Sequence, residues 1–193
     1  MTKIAIITGA SRPGSVNQSV AEWVLAQVST REDAEFELVN IADFDLPMLD
    51  EPYPAAYQNY QSDHTKAWSA KISEFDGFIF VAHEYNHTAG PVLVNALSFL
   101  NAEFKNKAAG FVSYGSMGGV RAVEHLRGVL SELQVAHVQR SVMFSLFTDF
   151  ENFTVFAPTE QNAGTLEPMV DQLTAWTRGM ATVRAEQLAT AAA

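Results

Sequence analysis

The sequence predicts an α/β fold: a three-layer sandwich around a five-stranded parallel sheet of order 2-1-3-4-5, within one domain covering residues 1–193. Two observations carry this. Short, β-branched or wholly apolar runs alternate with longer segments whose apolar residues recur at helical spacing. The apolar runs also lack an in/out polar alternation, as expected of parallel strands covered on both faces. An order that reverses beside the first strand leaves a crevice at the carboxyl edge, where ligands bind in such sheets.

Lys3–Thr8 (KIAIIT) reads as the first strand and Asn17–Ser29 as a helix striped by Val20, Val24 and Val28. Glu35–Val39 is the second strand. Asp45–Ser62, with Pro47, Pro52, Pro54 and three tyrosines, reads as a long irregular loop, a length associated with function or disorder. A helix from about Asp63 carries Trp68, Ile72 and Phe75. Gly77–Ala82 (GFIFVA) is the central strand, followed by an apolar helix over Pro91–Phe104. Ala108–Ser113 is the fourth strand, Val123, Leu126, Leu130 and Leu133 stripe the next helix, and Val135–Val138 forms the fifth strand. The Phe-rich run FSLFTDFENFTVF fits neither period. Leu166, Met169, Leu173, Trp176 and Met180 define a last amphipathic helix before a frayed Ala-rich tail.

Composition excludes several functions. A formal net charge of −10, with only 12 scattered Lys and Arg, argues against a nucleic-acid or anionic-membrane surface. No apolar run reaches the roughly 20 residues of a bilayer span. MTKIAIITGASR reads directly as a strand rather than a leader peptide, so the cytoplasm is the expected location. With no cysteine, disulfides, thiolate ligands and thiol nucleophiles are absent.

Three unusual loops fall on the carboxyl edge. Gly9–Asn17 (GASRPGSVN) combines turn-forming glycines, the donors Ser11, Ser15 and Asn17, the Arg12 fork and a helix N-terminus, which together suit a phosphate. TGASRPG also resembles the opening of short-chain dehydrogenases, but none of the five tyrosines has Lys four residues on, and Val16 replaces a packing glycine. The second loop, HEYNHTAGP, spells the H-E-x-x-H zinc motif, which requires both histidines on one helix face. Here a strand precedes it and Gly90-Pro91 starts a new helix, so His83 and His87 are expected in a connecting loop and no metal is expected. The third, Tyr114–Ala122 (YGSMGGVRA), allows close backbone approach to a flat or phosphorylated ligand at Gly115, Gly118 and Gly119.

In this order, GASRPGSVNQSVAEWV, FELVNIADFDLPMLDEP, HEYNHTAGPVLVNALSFL and KAAGFVSYGSMGGVRAVEHLR resemble the NADPH-dependent FMN reductases of the flavodoxin-like class, which include azo-dye, quinone and chromate reductases. The resemblance implies FMN as cofactor, NADPH or NADH as donor, and a small-molecule acceptor such as a flavin, quinone or azo compound. It places Ser11, Arg12, Ser15, Val16 and Asn17 around the FMN phosphate. Glu84, Tyr85 and Asn86 then line the isoalloxazine, while Ser113, Tyr114, Gly115, Ser116, Gly118 and Gly119 close the other side. Tyr85 and His83 are the candidates for a direct part in the chemistry. This chain departs from the family at His83, usually Pro, at Val94, usually Lys, and at Ala10, often Ser. A homodimer or homotetramer is expected, both from the resemblance and from the apolar perimeter of Pro91–Phe104. The alternative reading is a flavin-binding electron carrier or redox-responsive module without turnover of small substrates.

Overall fold

In the computed structural model, which describes residues 1–191, five parallel strands alternate with helices as the hydrophobic periods require. They are β1 (Lys3–Thr8), β2 (Glu35–Val39), β3 (Gly77–Tyr85), β5 (Ala108–Gly115) and β6 (Ala136–Ser145), ordered β2-β1-β3-β5-β6. Numbering only these parallel strands recovers 2-1-3-4-5. The short β4 (Thr88–Ala89) folds back on β3, and β7 (Phe150–Glu151) pairs with β8 (Val155–Phe156), pairings that go beyond the five expected strands.

Period-two alternation divides each central strand between two cores. Ile4, Ile6, Ile79, Val81 and Val112 face α1 (Asn17–Val28) and α6 (Leu166–Ala191). Ala5, Ile7, Phe78, Phe80 and Phe111 face α2 (Asp63–Ser73), α3 (Pro91–Ser98) and α4 (Val120–Glu132). Two helical layers therefore enclose the sheet. The short helix α5 (Glu160–Ala163) precedes α6, which continues helically to Ala191; the last two residues of the Ala-rich tail lie outside the described residues.

Several boundaries differ from expectation for local reasons. The apolar run after Pro91 is helical only to Ser98, and Glu103 braces the turns that follow. Its carboxylate accepts hydrogen bonds from Tyr60 (3.0 Å), Ser69 (2.6 Å) and the Asn101 N–H (3.2 Å). Phe99, Leu100 and Phe104 are consequently buried within this same chain, so the surplus apolar perimeter expected of a longer helix is internally covered. Strand β6 runs well past Val138 through a register irregularity opposite Ala109–Phe111. Arg127 supports this bulge by donating to the carbonyls of Val138 (2.8 Å) and Gln139 (3.2 Å). The polar residues Gln139 and Arg140 interrupt the apolar run, and this concealed the strand's length.

At the opposite edge from the loops, Lys107 is buried, its ammonium donating to the Ile72 carbonyl (3.2 Å) and lying 5.5 Å from the Phe78 ring centre. Burial, reinforced by the Arg184 charge and opposed by Asp76 and Glu103, pushes its pKa down to about 8. Among the described residues no helix is long and apolar enough to cross a membrane.

Candidate active site

The β1–α1 loop is braced from inside. Asn17, the first residue of α1, is fully buried. Its Oδ1 accepts from the Gly9 N–H (2.8 Å), and its Nδ2 donates to the Val81 carbonyl on β3 (2.9 Å). Asn17 thus fastens the loop to the central strand, one amide N–H and the amide oxygen both serving the fold. Ser11 and Arg12 are exposed, and Gly14 turns the chain with φ of +70°. Helix α1 opens at Val16 without a cap from that side chain; the Asn17 N–H donates to Ser15 Oγ (3.3 Å), and the next N–H groups, those of Gln18 and Ser19, remain available to an anion.

His83, expected in a loop, instead belongs to β3, which extends through Tyr85. Asn86 and His87, both left-handed (φ 50° and 64°), form the two-residue turn of a hairpin whose return strand is Thr88–Ala89. A hairpin separates His83 and His87 along its strand and turn, so they lack the shared helix face of a zinc motif. Glu84 points away from the cavity's opening toward α4. Its carboxylate accepts from the Arg121 N–H (3.1 Å) and Nε (2.6 Å) and contacts Nη2 of the same guanidinium. Burial works to raise the Glu84 pKa, but the Arg121 hydrogen bond and charge, with the N–H groups of Arg121 and Ala122, hold it below its usual value. Nη1 of Arg121 also meets His87 Nε2 (2.8 Å), joining the hairpin turn to α4.

In the third loop, Ser113 is buried and its hydroxyl donates to the Gly118 carbonyl (2.7 Å). Gly118 and Gly119 have φ of +69° and +74°, a conformation that a side chain would strain. Ser116 and Met117 are exposed at the tip. Burial pushes the Tyr114 hydroxyl up, keeping it protonated.

These three segments meet around a cavity of about 230 Å³ at the carboxyl edge. Arg12, Gly14 and Val16 contribute from the first loop, His83, Glu84 and Tyr85 from β3, and Tyr114 and Gly115 from β5. Asn17 and Ser113 stand behind the wall as braces, while Asn86 and Ser116 lie at exposed tips. Ser11 faces a second, larger recess of about 490 Å³, bordered by Asp45–Met48 of the long loop and by Pro91, Val92 and Asn95. The smaller cavity is the better candidate for a cofactor because all three loops converge there.

Leu146, Phe153 and Thr154 complete the wall, and all come from the Phe-rich run that showed no period. Asn152 and Phe153 (φ 49° and 60°) make the turn between β7 and β8. Asp149 holds this excursion together: its carboxylate accepts from the N–H groups of Ser145 and Thr159, both 2.9 Å, and from Thr148, Thr159 and Asn162 side chains. Burial works to raise the Asp149 pKa, and these hydrogen bonds outweigh it. A turn carrying Phe at a left-handed position lacks the usual Asn-Gly signal, which left this wall illegible in the sequence.

The residues present fit FMN in kind. They provide a helix start and a guanidinium for a phosphate, aromatic and apolar surface for a flat ring, and a buried imidazole nitrogen, His83 Nδ1, with no partner among the described residues. A family model described as NADPH-dependent FMN reductase matches residues 2–149. An NAD(P)H-dependent FMN reductase of a Nectria species is 37% identical over 158 residues, covering 77% of this chain and 79% of that protein. Another from Schizosaccharomyces pombe is 36% identical over 135 residues, covering 69% and 68%. Among solved structures, the flavoenzyme NAD(P)H:(acceptor) oxidoreductase FerB of Paracoccus denitrificans superposes with a TM-score of 0.71, covering 93% of this chain and 99% of that one. At 18% identity, FerB supports the fold alone. Fold, loop convergence and sequence similarity agree, and this chain belongs to the NADPH-dependent FMN reductase family.

Proposed function

We propose that the chain acts as one FMN-binding unit that oxidises NAD(P)H and reduces a small-molecule acceptor. The carrying observation is the convergence of the three loops on one cavity, with the residues behind it committed to holding those loops in place. Bound FMN would supply a ring that accepts a hydride from the nicotinamide and passes electrons to the second substrate. Arg12, Val16 and the N–H groups of Gln18 and Ser19 surround the phosphate, with the Ser15 hydroxyl and, from the side of the adjoining recess, the Ser11 hydroxyl on the same loop. Tyr85, Asn86, Tyr114, Gly115, Ser116, Gly118 and Gly119 shape the ring's surroundings. Glu84, Asn17 and Ser113 keep those surfaces in register through the hydrogen bonds above. Tyr85 is about half exposed at the cavity rim, a position suited to orienting an incoming substrate.

Acceptors of the quinone or azo class are supported by relatives named 2-hydroxy-1,4-benzoquinone reductase, in a Burkholderia species, and FMN-dependent NADPH-azoreductase, in Staphylococcus haemolyticus. A homodimer or homotetramer in the cytoplasm completes the reading. Its support is the group of exposed apolar side chains beside the third loop, Met117, Val120, Met143, Phe147 and Phe153, with the last two rings packed edge to face at 5.7 Å.

The test is an absorption spectrum of the purified protein, identification of the released flavin, and anaerobic mixing with NADPH and with NADH. Rapid bleaching of bound flavin by either nucleotide is expected. A protein that neither carries nor takes up FMN would overturn the reading. Flavin that dithionite reduces but neither nucleotide bleaches would favour the electron carrier instead.

A further inference from the structure

His83 differs from the polar side chains that brace the cavity wall. Asn17, Ser113 and Glu84 spend their polar atoms on protein partners, whereas His83 Nδ1 is buried without one among the described residues. The residue is only 6% exposed. Its ring lies edge to face on Tyr85 with centroids 4.4 Å apart, within 6.2 Å of the Tyr114 ring. It rests against Gly90 so closely that a Cβ there would come within 2.2 Å of His83 Cε1. Glycine at the start of α3 thus makes the seat in which the imidazole sits.

Burial, with a smaller contribution from the Arg12 charge, lowers the His83 pKa. The ring is therefore neutral at physiological pH, with one nitrogen donating and the other accepting. Leaving a buried polar atom unpaired costs stability, because the nitrogen gives up its bond to water and gains none in return. An apolar ring of similar size would avoid that cost here. His83 forms part of the wall that Arg12, Tyr85 and Tyr114 also line, and a molecule in that cavity lies against its residue.

We propose that His83 is a cofactor-contacting residue, whose imidazole hydrogen-bonds a polar atom of the flavin mononucleotide and thereby sets how tightly this protein holds it. The inference rests on the assignment of FMN to this cavity. The group that strengthens cofactor binding weakens the cofactor-free fold.

The experiment uses the full chain freed of flavin and titrated with FMN, following fluorescence quenching, alongside thermal unfolding without FMN. His83→Phe keeps the aromatic volume beside Tyr85 and removes both nitrogens. It is expected to bind FMN roughly tenfold more weakly, the size of a hydrogen bond to a partly charged ligand, while melting no lower than the wild type. His83→Gln, which retains a donor and an acceptor, is expected to recover most of the affinity. Gly90→Ala, which displaces the imidazole without changing it, is expected to weaken FMN binding in the same sense and serves if His83→Phe does not fold. Unchanged affinity in His83→Phe or Gly90→Ala, or no recovery in His83→Gln, would overturn the inference. Failure of the wild type itself to bind FMN would instead overturn the functional assignment, and this inference with it.

Discussion

Glu84, at the end of the central strand, accepts hydrogen bonds from both the backbone and the guanidinium of Arg121 in the first turn of α4. Two of the three loops around the cavity are thereby tied by one ion pair. The Glu84 side chain is 4% exposed, so its charge depends on that partner.

Arg121→Ala is expected to cost about 2 kcal/mol, less than for a fully buried pair because the guanidinium is partly exposed. The pH dependence follows from the sign of the Glu84 shift. A carboxylate held below its usual value of 4.5 contributes stability above that value and loses it as pH falls through the folded-state pKa. Without Arg121 the Glu84 pKa rises, so acid unfolding should begin at higher pH. Urea unfolding across the acid range for both proteins checks this; coincident pH profiles would refute it.

Asn17→Ala removes two buried hydrogen bonds at once and leaves the Gly9 N–H and the Val81 carbonyl unpaired. A loss of roughly 2–4 kcal/mol is expected. Asn17→Asp should be no better, since a carboxylate oxygen would face the Val81 carbonyl. Chemical denaturation reads the stability, and an effect below about 1 kcal/mol would show that the brace is dispensable.

Asp149→Ala should loosen the Phe-rich wall selectively. Five donors converge on this carboxylate, including the N–H groups of Ser145 and Thr159. Hydrogen exchange should rise across residues 145–162 while the amides of β1 and β3 keep their protection. Uniform loss of protection throughout the sheet would mean that Asp149 supports the whole fold rather than this wall.

Lys107 gives a pH dependence of opposite origin. Its folded-state pKa of about 8 lies below the ordinary 10.5, so between these values the unfolded chain binds more protons and stability rises with pH. Below pH 8 the buried charge carries its full penalty. Lys107→Met should therefore stabilise the protein at neutral pH, by on the order of 1–3 kcal/mol, and flatten the alkaline rise. Thermal melts from neutral to alkaline pH distinguish this from a lysine that is stabilising through its Ile72 contact, whose replacement would lower the melting temperature.

The sequence by itself determined the layer architecture and the edge that carries function. Runs such as KIAIIT and GFIFVA have the period of strands covered on both faces, and turn-forming glycines mark Gly9–Gly14 and Gly115–Gly119 as loops. These signals are local, so they survive without knowledge of the rest of the chain. The strand order, expected by analogy with similar alternating folds, is fixed by pairings between residues far apart in the chain, whereas the β3–β4 and β7–β8 hairpins are local but lack the usual turn signal. Phe at the turn of β7–β8 and polar residues at the β6 bulge conceal both elements. Side-chain commitment was equally invisible. Asn17, Ser113 and Glu84 carry ligand-binding chemistry as residue types, but the fold aims them at the protein itself. His83 is the converse: in the sequence it stands in a zinc motif whose flanks rule out the metal, while only packing against Gly90 and Tyr85 reveals a buried nitrogen without a partner among the described residues. Residue type sets what a group can bond to, and tertiary structure decides which of those bonds the protein keeps for itself.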